Sequence, residues 1–149
     1  MKKTFLVAID FSAVTNDVVD AAVSFASAFK GHVILLHVIH RPLDISAGNA
    51  LLENNPEDVI RANAVAARLR DIEKLFEQAS LPCRTSVKVG VPVISILDEI
   101  KSSKADYVVM GSHGHGRIYD ALVGSTVGGV IKKTACCVIL VPPEGRAYS

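Results

Sequence analysis

The sequence predicts an α/β fold, a three-layer sandwich in which helices cover both faces of a five-stranded parallel sheet. Three observations carry that expectation. Five short stretches rich in apolar residues read as strands, and stretches with apolar residues at three- and four-residue steps alternate with them as helices. Most of the strands are continuous apolar runs, the pattern of strands covered on both faces. The chain has 149 residues, which suits one domain over 1–149, and a domain near this size buries roughly 68–70% of its unfolded surface.

The first strand is expected over residues 4–9, stopped by Asp10-Phe11-Ser12. Ser12 is placed to N-cap a helix carrying Val18, Ala22, Phe25 and Phe29, with Gly31 at its C-cap. Residues 33–39 form the second apolar run. Pro56-Glu57-Asp58 opens a longer helix whose acids suit its positive end. Its core stripe is Val65, Leu69, Ile72, Phe76 and Ala79, opposite a charged face with Arg61, Arg68, Arg70, Lys74 and Glu77. Residues 83–89 alternate like a half-covered strand. Gly90-Val91-Pro92 then turns into a helix with Val93, Ile96, Leu97 and Ile100 inward. Residues 106–110 are the fourth strand. A glycine-rich stretch leads to a last helix with Val127, Val130 and Ile131 inward and Lys132 and Lys133 at its end. Gly128-Gly129 inside that helix cost roughly 1 kcal/mol each, which close packing must offset. Residues 136–141 are the fifth strand. Right-handed crossovers favour the flavodoxin-like order 3-2-1-4-5, whose binding crevice lies at the carboxyl ends of strands one and four.

Composition narrows the function. Half the residues are hydrophobic and 21% are charged, which excludes a disordered chain. Sixteen Lys plus Arg against fifteen Asp plus Glu leave a net charge of +1, so no general nucleic-acid or anionic-membrane binder is expected. Three cysteines cannot form a closed disulfide framework, adjacent Cys136 and Cys137 read as small apolar side chains, and a reducing, cytoplasmic setting is expected. The apolar stretch at the start ends at Asp10, too short for a signal peptide, and nothing approaches a membrane span of ~20 apolar residues.

The chemistry concentrates in Gly111-Ser112-His113-Gly114-His115-Gly116, which leaves a strand end and leads to Gly124-Ser125-Thr126 at a helix start. Glycines let backbone N–H groups approach an anion, and a helix N-terminus adds unpaired donors and partial positive charge. The alternative is a plain turn with Ser125 as a cap. No Gly-Lys-Ser/Thr is present, and no G-x-G-x-x-G follows the first strand, so the Walker and dinucleotide fingerprints are both missing. His37, His40, His113 and His115 fall near strand carboxyl ends, but no cysteine or clear carboxylate set accompanies them beyond Asp10, so no metal site is expected. His37 reads as a hydrogen-bonded core histidine. The stretch over 40–55 is either a lid over a ligand or a tolerated insertion.

The spacing G-x2-G-x9-G-[ST], from Gly111 through Gly114 to Gly124-Ser125, resembles the ATP-binding branch of the universal stress proteins. So do Asp10-Phe11-Ser12, Leu35-Leu36-His37-Val38 and Val138-Ile139-Leu140-Val141-Pro142, and the resemblance covers essentially the whole chain. It implies a flavodoxin-like, adenine nucleotide alpha hydrolase-like sandwich that binds ATP with Mg2+, pairs as a homodimer through the strand at 136–141 and signals stress to a downstream protein. Asp10 would lie near ribose and adenine with Ala8 and Phe11, and Val38 would read the adenine edge. Met110 and Gly111 would flank the ribose and first phosphate, Gly114, His115 and Gly116 would wrap the phosphates, and Gly124, Ser125 and Thr126 would close the cradle. Arg117 either reaches the terminal phosphate or is solvated. Ala8-Ile9 departs from the proline or small polar pair frequent there. The leading expectation is a nucleotide-binding regulator with no catalytic residue. The alternative is a slow ATPase or nucleotide phosphotransferase in which His113, His115 or Asp10 moves protons. A structural dimerisation module with a vestigial site is the third.

Overall fold

In the computed structural model, residues 2–42, 56–113 and 123–143 are described. Strands and helices alternate as β1 (Thr4–Ala8), α1 (Thr15–Phe29), β2 (His32–His40), α2 (Pro56–Gln78), β3 (Cys83–Gly90), α3 (Pro92–Ser103), β4 (Tyr107–Gly111), α4 (Ser125–Lys133) and β5 (Cys137–Val141). All neighbouring strands pair in parallel, in the order β3-β2-β1-β4-β5. Central β1 registers Val7 between Leu35 and Val109.

Side chains alternate between the two faces of the sheet, and each face has its own core. Phe5, Val7, Val33, Leu35 and Val109 pack with Val18, Val19, Ala22 and Ala26 of α1 and Leu69 and Phe76 of α2. Leu6, Ile34, Leu36, Val108 and Met110 pack with Ile96 and Ile100 of α3 and Val127 and Val130 of α4. Residues 5–7 are wholly inaccessible to solvent, which is why β1 reads as an unbroken apolar run.

Four expectations need correction. Ser12 does not cap α1. Phe11 adopts a left-handed φ of 58°, the Ser12 N–H donates to Asp10 Oδ1 at 2.9 Å, and the Ser12 carbonyl accepts the Thr15 N–H at 3.1 Å. That turn puts Val14 at the N-cap and leaves the Ser12 hydroxyl buried. Secondly, α1 closes on Lys30 at φ 49°, not on Gly31. Gly31 serves a close approach instead, since a Cβ there would lie 2.6 Å from the Lys3 carbonyl oxygen and 2.8 Å from the Phe5 ring. Thirdly, Ile131 is exposed, because α4 turns only Val127 and Val130 fully inward. Lastly, Cys137 is exposed at the start of edge strand β5.

Charged groups tie the periphery together. Buried Glu99 of α3 accepts hydrogen bonds at 2.9 Å from both Arg84 and Lys88 of edge strand β3. Asp106 accepts from the Thr4 N–H at 2.9 Å and from Lys3 at 3.3 Å, fixing the start of β1 beside β4. Burial, with Glu73 and Glu77 nearby, pushes the Cys83 thiol up to about 12, so it stays protonated at neutral pH. Among the described residues, no helix is long and apolar enough to cross a membrane.

Candidate nucleotide site

A cavity of about 680 Å³ opens at the carboxyl ends of β1, β2 and β4. It lies where the winding reverses, because β1 leads into α1 on one face of the sheet while β4 leads into α4 on the other. Its walls are Ala8, Val38 and Met110 from the strand ends and Val91, Pro92, Val93 and Ile96 from the start of α3. The chain forms α3 there because Pro92 suits the first helical position, where a missing N–H costs nothing.

The two polar ends of the cavity differ. At the β4 end, the Ser112 N–H donates to the Val141 carbonyl at 2.9 Å, and the Ser112 carbonyl accepts the Gly124 N–H at 2.8 Å. This pair of bonds locks the start of α4 against the ends of β4 and β5. Gly124 is the N-cap and has no side chain to satisfy the helix, so the first-turn donors of Ser125, Thr126 and Val127 have no side-chain cap. The first turn holds no acid, and Lys132 and Lys133 occupy the last. The helix therefore presents donors and partial positive charge to the cavity. At the β1 end stands Asp10, whose carboxylate orders the turn into α1 through the Ser12 N–H. His40 and His113 also line the cavity, and His113 Nδ1 lies 3.0 Å from Ser112 Oγ.

Of the residues singled out in the sequence, the structure brings Ala8, Asp10, Val38, Met110, Gly111, Gly124, Ser125 and Thr126 to this one cavity. Phe11 is not among its lining residues. The left-handed backbone turns its ring toward α2, under the Arg68 guanidinium at 3.8 Å and against the His37 ring at 4.7 Å. His37 in turn donates from Nδ1 to the Ile9 carbonyl at 2.8 Å, as a hydrogen-bonded histidine should. Gly114, His115, Gly116, Arg117 and most of the 40–55 stretch lie outside the described residues. Sequence reasoning missed Thr15 and the α3 wall, although the apolar Val91-Pro92-Val93 at a strand-to-helix junction was a usable signal for the wall. Among the described residues, no group of three or more His, Cys, Asp or Glu could hold a metal ion.

The family model described as the Universal stress protein family matches residues 1–142. The chain belongs to the universal stress protein family. Universal stress protein Sll1654 of Synechocystis is 27% identical over 142 residues, covering 95% of this chain and 87% of that protein. Universal stress protein MJ0577 of Methanocaldococcus jannaschii is 26% identical and covers 95% of both chains. The solved structure of MJ0577 matches with a TM-score of 0.79 at 27% identity, over 100% of this chain and 99% of that one. A universal stress protein solved in complex with cAMP matches with a TM-score of 0.70 at 22% identity, over 96% of this chain and 98% of that one. The universal stress protein from Archaeoglobus fulgidus in complex with dAMP gives 0.64 at 20% identity, over 93% and 97%. These last two share the fold, and both hold an adenine nucleotide.

Proposed function

We propose that this universal stress protein binds ATP at the carboxyl ends of β1 and β4 and acts as a nucleotide-responsive regulator in stress adaptation. The observation that carries the reading is the uncapped, acid-free N-terminus of α4 opening on a cavity of about 680 Å³. That volume falls within the roughly 300–1,000 Å³ of small-molecule sites. The apolar wall of Val38, Val91 and Val93 suits a flat base, and the Gly124-Ser125-Thr126 end suits phosphates. The relatives solved with cAMP and dAMP support an adenine nucleotide as the ligand class. Asp10 is the one carboxylate among the described cavity residues. Mg2+ would therefore be held mainly by the phosphates and water, as this ion usually is, and would offset the phosphate charge.

The same reading includes a homodimer through β5 and a downstream protein partner that responds to nucleotide occupancy. The apolar β5, an edge strand of the sheet among the described residues, supports the first. Denaturing the purified protein and identifying the released nucleotide by mass spectrometry tests the ligand. ATP or its hydrolysis product ADP is expected, and a preparation that releases only a cyclic nucleotide contradicts the assignment.

A further inference from the structure

Thr15 opens the core stripe of α1, which continues through Val18, Val19, Ala22 and Ala26. It is the polar member of an otherwise apolar series. It is nine-tenths buried, it lines the cavity, and its hydroxyl has no hydrogen-bond partner. A buried hydroxyl left unpaired is destabilising, and valine would fill the same space without that cost. Ser12 carries a second unpaired buried hydroxyl but is not among the cavity-lining residues.

The chemistry of the partner follows from the charge on each side of the cavity. Asp10, just past the end of β1, lines the cavity with Thr15, and Asp17 is the acid in the first turn of α1, whereas the first turn of α4 has none. The anionic part of a ligand therefore sorts to α4, and the part at Thr15 is neutral and polar. The turn of Thr15 also abuts the end of β4, because a Cβ on Gly111 would lie 2.8 Å from Val14 and 3.5 Å from Val18. A hydroxyl on the acid-bearing side of the cavity, able both to donate and to accept, matches a sugar hydroxyl better than a phosphoryl oxygen.

We propose that Thr15 Oγ1 hydrogen-bonds a sugar hydroxyl of the bound nucleotide and makes the site select ribonucleotides over deoxyribonucleotides, an inference that rests on the nucleotide reading above. A ligand lacking that hydroxyl leaves Thr15 unpaired in a buried place, and such sites discriminate strongly against the deficient analogue.

Calorimetric titration of wild type, Thr15→Val and Thr15→Ser with ATP, 2′-deoxy-ATP and 3′-deoxy-ATP tests it, with melting curves of each ligand-free protein. Wild type is expected to bind ATP about tenfold more tightly than one of the two deoxy analogues. Thr15→Val should abolish that preference by weakening ATP alone, while melting at or above the wild-type temperature. Thr15→Ser should keep the preference. A Thr15→Val protein that still discriminates, or that loses affinity for all three ligands equally, overturns the proposal. So does a wild type that binds all three alike, which leaves the nucleotide reading standing. A wild type that binds none of them overturns both.

Discussion

Glu99 remains charged although α3 buries it, because two cations from edge strand β3 reach it at 2.9 Å. Burial alone would push its carboxyl up. The hydrogen bonds and charges of Lys88 and Arg84 outweigh that and hold it below the usual 4.5. Asp106 is lowered too, first by the Thr4 N–H and then by Lys3. A carboxyl lowered by folding contributes stability above its unfolded value, and that contribution disappears as pH falls through the folded one. The melting temperature should therefore hold from pH 7 down to about 4.5 and fall below it. Glu99→Gln should cost about 2 kcal/mol at pH 7 and flatten the acid limb. A variant that melts like wild type across that range would show that Arg84 and Lys88 are satisfied without the carboxylate. At this scale the sequence was least legible. Nothing local announces that Phe11 takes a left-handed φ and turns away from the cavity, or that Thr15 is buried at its edge, since both depend on how the turn after β1 packs.

Elements were legible where pattern decides them. The apolar runs of β1, β2 and β4 and the stripe through Leu69 and Phe76 follow from burial on both faces of one sheet. Caps were not, because Lys30 in place of Gly31 reflects a tight approach to Phe5 that only the folded sheet creates. The two glycines of α4 also separate at this scale. A Cβ on Gly129 would lie 2.8 and 3.0 Å from the methyls of Val93 on α3, a side chain stiff at χ1, so this glycine sets the α3–α4 approach. A Cβ on Gly128 would meet nothing nearer than 3.9 Å. Gly129→Ala should therefore lower stability by about 1 kcal/mol despite the better helix former, whereas Gly128→Ala should raise it by about 0.5–1 kcal/mol. Urea denaturation of the two variants checks the opposite signs.

At the scale of the whole molecule, sheet order assembles the site. The α4 end of the cavity was legible as Gly124-Ser125-Thr126 before an amphipathic helix, whereas the wall from α3 was signalled only as the apolar Val91-Pro92-Val93, because the fold is what carries that segment across the sheet to the cavity. Sheet order also leaves β5 at an edge, with Val138, Ile139 and Leu140 only half-buried and no charge on the strand. Light scattering at micromolar concentration should give twice the chain mass of 15.9 kDa, and Ile139→Lys should reduce it to the monomer. A wild type that scatters as a monomer removes the β5 dimer.

Whether the cavity between Asp10 and the start of α4 holds ATP is tested most directly by calorimetric titration of Mg2+-ATP into the nucleotide-free protein. Saturable binding of one ATP per chain is expected, weakened about ten- to hundredfold by Ser125→Ala with its melting temperature unchanged, and phosphate release slower than about 1 per second. No binding by the folded wild type, or binding that Ser125→Ala leaves untouched, would contradict it.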